Sequence, residues 1–174
     1  MFKHTKRLII SAMCLALCMV LPYLTGQIPE IGNMLLPMHI PVLLCGMLCG
    51  WPWGLAVGFI APLMRSLLFG MPPFYPTALA MAFELAAYGF ASGLFSRLLP
   101  KKIPFVYLSL ILAMIAGRLV WGVARFVMAG LSVTAFPFSA FLAGAITTAW
   151  PGMLLQVLIL PPIVILLRRT KLAP

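Results

Sequence analysis

The sequence predicts an all-α integral membrane protein, a bundle of six transmembrane helices with both termini cytoplasmic, and three observations carry that reading. The 174 residues are 64% hydrophobic and 8% charged, with a mean hydropathy of +1.14, more apolar surface than a soluble domain of this length can hide from water. Apolar segments recur at lengths close to the roughly 20 residues that a helix needs to cross the hydrocarbon core. The basic residues outside those segments gather in three short patches: Lys3, Lys6 and Arg7; Arg97, Lys101 and Lys102; Arg168, Arg169 and Lys171. That distribution follows the positive-inside rule, so the formal net charge of +10 reports orientation and not nucleic-acid binding. No stretch has the composition of a soluble module, and residues 1–174 read as a single membrane domain.

The first span is expected over 8–24. Its basic lead-in resembles a signal peptide, but Pro22-Tyr23-Leu24-Thr25-Gly26 is a poor cleavage site, so the span is read as retained. The segment 25–37 carries Gln27, Glu30, Asn33 and several helix breakers, and is expected as a loop, in part re-entrant. Apolar sequence then runs from 38 to 70, interrupted by Trp51-Pro52-Trp53-Gly54, which suits a turn at the membrane interface. It divides the stretch into a short second span, 38–51, and a third, 53–70. Residues 70–76, rich in proline, form a stiff turn. The remaining spans are expected at 77–98, 104–130 and 140–167, the last containing Pro151, Pro161 and Pro162.

The basic patches test this count. If all three are cytoplasmic, an even number of spans must separate each from the next, and four followed by two satisfies both conditions. The loops 25–37, 70–76 and 130–139 then lie outside.

Only two carboxylates occur in the chain, Glu30 and Glu84, and Glu84 lies deep in an apolar segment, as do Arg65, Arg118 and Arg125. Charge in hydrocarbon costs several kcal/mol per residue, so such groups face a protein interior or a polar pathway and find partners there. Their formal sum of +2 points to a site for something small and negatively charged. Arg118, Trp121 and Arg125 are spaced to share one helical face, and the four groups concentrate in the outer half. The plainer alternative pairs Glu84 with one arginine while the others snorkel to the interface. Cys14/Cys18 and Cys45/Cys49 form two i, i+4 pairs in apolar stretches, read as small core residues and not as a metal site.

Several chemistries are missing. No GxxxxGK[ST] sequence is present to cradle a nucleotide, and no aspartate to build an Asp-rich metal cluster for phosphate transfer. His4 belongs to the basic tail; His39 starts the second span, where an intramembrane hydrolase would need it to meet Ser66, Ser92 or Ser139. A tethering hydrogen bond is the commoner role for such a histidine. The chain is therefore read as a non-enzyme without cofactor or metal. The first and last three spans show no internal repeat of the kind secondary carriers use.

The chain resembles the substrate-binding (S) components of energy-coupling factor (ECF) vitamin transporters. The resemblance rests on size and six-span layout, Ala12-Met13-Cys14-Leu15-Ala16, Met38-His39-Ile40-Pro41-Val42, the run from Cys45 to Gly58, and Ala116-Gly117-Arg118-Leu119-Val120-Trp121-Gly122. It implies a multi-pass vitamin receptor of a bacterial cell membrane that does not itself hydrolyse ATP. The small-residue face of the first helix, with Ala12 and Ala16, would dock on a transmembrane coupling subunit driven by two cytoplasmic ATPases, and loops 25–37 and 70–76 would close over the ligand. The His-Ile-Pro-Val string is most similar to pantothenate-type members. Arg65, Glu84, Arg118, Trp121, Arg125, His39 and Tyr75 are the expected substrate-binding residues. Folate, lipoate, niacin or a phosphorylated vitamin fit the charge argument as well, with Phe74, Tyr75, Trp121 and Trp150 available for stacking. A self-sufficient carrier of a small organic anion is the alternative in another class.

Overall fold

The computed structural model describes residues 2–25, 28–131, 143–144 and 148–170. Within them the chain is helical throughout. Helix α1 (Phe2–Val20) tightens into a 3-10 turn (Leu21–Thr25), and α2 (Pro29–Leu35) is short. Helices α3 (His39–Cys49) and α4 (Trp51–Phe69) are joined at Gly50, and an irregular turn (Phe74–Ala78) leads into α5 (Leu79–Leu98). Helices α6 (Ile103–Leu131) and α7 (Trp150–Arg169) follow. Five segments are long and apolar enough to cross a membrane: His4–Leu24, Trp51–Phe69, Phe74–Leu98, Ile103–Gly130 and Trp150–Arg169. The all-α membrane bundle expected from composition is the observed fold. Most of the expected loop 130–139, the start of the sixth span at 140, Gly26, Gln27, Ser139 and Lys171 lie outside the described residues.

Three local expectations are corrected. The first helix begins at Phe2, within the basic tail, and not at residue 8. The segment 25–37 is not simply a loop: Pro29 opens α2, where a missing N–H costs nothing, and Leu36 ends it in the left-handed region (φ 51°) with its N–H donated to the Gly32 carbonyl. The turn between the second and third spans is not Trp51-Pro52-Trp53-Gly54. Those residues are the first turn of α4, and the reversal is made by Gly50 alone, at φ 97°, a conformation open to glycine and strained for other residues.

Glycines set how closely the helices approach. A Cβ on Gly54 would lie 2.7 Å from the Gly46 Cα and would overlap the Gly89 carbonyl; one on Gly58 would overlap the Leu85 carbonyl. Backbone therefore packs on backbone where α3, α4 and α5 meet, as in small-residue contacts between membrane helices generally. The Arg168 Nη2 fastens the same end, donating to the Met47 carbonyl (3.2 Å) and to Ser96 Oγ (2.5 Å). Met47 is in the last turn of α3, where carbonyls lack helical partners and a cation complements the helix dipole.

Helix α3 is the exception to spanning length. Its 11 residues rise about 16 Å at 1.5 Å each, about half the hydrocarbon thickness of ~30 Å. It is walled in by its neighbours, with nine of its residues buried. Its last turn is anchored at the basic end of the bundle, so His39 at its first turn lies part-way down the bundle with no helix of its own continuing above. The four cysteines are buried, free thiols at the α1–α3 contact; Cys45 Sγ donates to Ser11 Oγ at 3.4 Å and Cys49 Sγ to the Arg7 carbonyl at 3.7 Å. Among the described residues no group of histidines, cysteines and carboxylates is arranged to hold a metal ion.

Candidate functional site

The short α3 leaves a cavity of about 510 Å³ above its N-terminus. It opens at the end of the bundle opposite the basic patches, among the 3-10 turn after α1, α2, the 71–73 turn and Gly144 and Thr148 ahead of α7. Much of its wall is apolar, with Met38, Met71, Met81, Ala80 and four prolines, and polar groups converge on one region of it.

Glu84 is the centre of that region. It is 2% exposed, and its Oε1 accepts two contacts: His39 Nε2 at 3.2 Å and Arg118 Nη1 at 2.9 Å. One carboxylate oxygen thus ties together α3, α5 and α6. His39 and Arg118 are buried as well, so the pair is held in a low-dielectric setting where neither charge can be left alone. Of the expected alternatives, pairing of Glu84 with an arginine is realised by Arg118, which remains in the cavity wall while paired.

The guanidinium of Arg118 is only partly used. Nη1 serves Glu84, while Nε and Nη2 are buried and have no hydrogen-bond partner among the described residues. Those two nitrogens form the edge of the fork that binds a carboxylate through two parallel hydrogen bonds. The Trp121 ring lies beneath, its centroid 5.9 Å from the guanidinium carbon, and Arg125 joins Trp121 in the cavity wall, so the face that the spacing of α6 predicts is realised.

Arg65 approaches the cavity from α4. It does not snorkel: it is 3% exposed, donates from Nη1 to the Met19 carbonyl at 2.6 Å, and lies over the rings of Tyr23 and Phe69, 5.3 Å from each centroid. Aromatic faces accept a guanidinium that lipid would not. Six of the seven expected binding residues, His39, Arg65, Glu84, Arg118, Trp121 and Arg125, therefore line one cavity. Tyr75 is not in its wall; the side chain is half exposed and its hydroxyl donates to the Met128 carbonyl at 3.1 Å. Phe74 and Trp150 are outward-facing too. Neither Ser66 nor Ser92 forms a hydrogen bond with His39, and Ser92 donates to the carbonyls of Leu43 and Gly89.

One residue of this cluster has no counterpart in the sequence reading. Tyr88, fully buried one turn below Glu84, sets its ring edge-on against His39, 4.9 Å between centroids. The ring presses on α6 at Gly117, where a Cβ would overlap it. The i, i+4 spacing from Glu84 was the available signal.

A multi-pass helical bundle whose buried polar groups converge on a cavity of small-molecule size defines the class: a membrane-embedded binder of small solutes. The family described as "ECF transporter, substrate-specific component" matches residues 6–164, and the chain belongs to that family. It is thus a substrate-specific component of an ECF transporter, a family of transport components. Among curated proteins and among solved structures, nothing matches the chain at a significant level.

Proposed function

We propose that this protein captures a small anionic vitamin, with pantothenate the leading candidate, at the outer face of a bacterial cell membrane. It delivers the vitamin through a coupling module made of a transmembrane subunit and two cytoplasmic ATPases. The observation that carries the anionic class is the Nε/Nη2 edge of Arg118, buried in the cavity wall with no partner. The lining supports it, with three arginines to one carboxylate among its described residues. Pantothenate supplies a carboxylate for Arg118 and hydroxyl and amide donors for Glu84, and its methyl groups suit the methionine and proline walls. Orientation follows from the positive-inside rule: the patches at the far end of the bundle are cytoplasmic, so the cavity faces out. Ala12 and Ala16, both exposed on α1, present a small-residue face for the coupling subunit.

Titration of the purified protein with pantothenate tests the substrate. Arg118→Gln removes a charge-assisted bond in a desolvated site and should weaken binding by about 1.5–3 kcal/mol, roughly ten- to a hundredfold. Unchanged affinity in a folded Arg118→Gln variant would remove Arg118 from the site, and failure of the wild type to bind would remove pantothenate.

A further inference from the structure

Four buried polar atoms around Glu84 have no hydrogen-bond partner among the described residues: His39 Nδ1, Tyr88 Oη, and Arg118 Nε and Nη2. They account for most of the seven such side-chain atoms in the described chain, so the deficit is local to the cavity wall. The two on Arg118 are explained by a ligand carboxylate. The Tyr88 hydroxyl is not, because the residue is fully buried and absent from the cavity wall. A phenol in such a place is satisfied in nearly all proteins. Phenylalanine would fill the same space, against His39 and Gly117, without the unpaired hydroxyl.

The neighbours of that hydroxyl are informative. It stands near Glu84 and within side-chain reach of Arg118, yet completes no well-formed hydrogen bond with either. Tyr88 and Glu84 are one turn apart on α5, whereas Arg118 reaches Glu84 from α6. Whatever draws Arg118 off Glu84 leaves the buried carboxylate with His39 alone, and Tyr88, one turn away on the same helix, carries a hydroxyl able to supply the missing donor.

We propose that Tyr88 is a positioning residue that takes over Glu84 when a bound anion draws Arg118 toward itself, so that filling the cavity exchanges the α5–α6 tie for one within α5. This rests on the anion reading of the previous subsection. No bond is made or broken beyond hydrogen bonds: the phenol keeps its proton and donates it to the carboxylate oxygen that Arg118 vacates. Two consequences follow. The hydroxyl contributes to the affinity of the filled site although it touches no ligand, and occupancy loosens the polar tie between α5 and α6 without exposing Glu84 unpaired.

The experiment compares wild type, Tyr88→Phe, Arg118→Gln and the double variant, with pantothenate as probe and with ligand-free thermal unfolding in parallel. Tyr88→Phe should leave the ligand-free melting temperature unchanged or higher, and should weaken pantothenate binding about tenfold. In the Arg118→Gln background the same substitution should have no further effect, since the exchange has nothing left to release. A lower melting temperature for ligand-free Tyr88→Phe would make the hydroxyl structural and overturn the proposal. Equal affinity of wild type and Tyr88→Phe would overturn it too, as would a tenfold loss that persists beside Arg118→Gln. Failure of the wild type itself to bind would overturn the substrate reading first, and this proposal with it.

Discussion

Near the basic end of the bundle, Gly46, Gly54 and Gly89 bring three helix backbones into contact, and Arg168 threads between α3 and α5 to bond the last turn of α3. At the opposite end the same helices part around a cavity, and the groups left facing each other there are a carboxylate, an imidazole, a phenol and a guanidinium. One end is held by absence of side chains, the other by polar side chains that are not all satisfied. On the proposed reading of the cavity, the bundle separates what makes it stable from what makes it bind, along its own long axis. Helix α3 makes the separation possible, its last turn held in the closed end and its first turn, at His39, stopping at the floor of the cavity.

The comparison can be broken in three ways, taken from the largest expected effect. If binding resides only in the hollow end, a bulky residue on the outside of α1 should leave it intact while blocking close approach of a partner helix. Ala16→Trp should then abolish uptake in cells and preserve pantothenate binding by the isolated protein. Loss of both together would mean that this face packs internally and would withdraw the docking assignment. Next, Glu84→Gln leaves Arg118 buried without its counter-charge, and should lower ligand-free stability by about 3–5 kcal/mol. The gap should narrow at saturating pantothenate, where the ligand supplies the anion. A loss well below 1 kcal/mol in denaturant titration would mean that the pair is solvated and the hollow end is wet throughout. Last, a Cβ at Gly89 would overlap the Gly54 carbonyl, so Gly89→Ala should cost about 1–3 kcal/mol while the folded fraction binds with unchanged affinity. Weaker binding at full stability would show that the two ends are not separate.

How much of this was legible beforehand depended on whether the signal was chemical or geometric. Membrane class was legible because hydropathy sums over many residues, and Glu84 and Arg118 because a charge in an apolar run needs a tertiary reason. The hinge at Gly50 was not, since proline reads alike in a turn and in the first turn of a helix, and only the backbone angles tell them apart. Helix α2 was hidden among Gly26, Pro29, Gly32 and Pro37, each a breaker taken alone. Tyr88 looked like any aromatic in an apolar helix; its place beside Arg118 depends on Gly117, 29 positions away in sequence, a contact that no local pattern encodes. Tyr75 shows the same limit, since the sequence places an aromatic in a proline-rich turn but not that its hydroxyl turns to the Met128 carbonyl.

The length of α3 also bears on how such a protein could change its cargo. Because the chamber floor is the first turn of that helix, inserting one turn before His39 would raise the floor by about 5.4 Å, and deleting one would lower it by as much. Neither change touches the seam at Gly46 or the hook at Met47, both nearer the other end of the helix. If the chamber is the ligand site proposed above, insertions and deletions at this junction would be a coarse adjustment of ligand size, and substitutions around Glu84 a fine adjustment of ligand charge. A lineage could move from small to larger solutes by length alone, with the scaffold that holds it in the membrane left as it was.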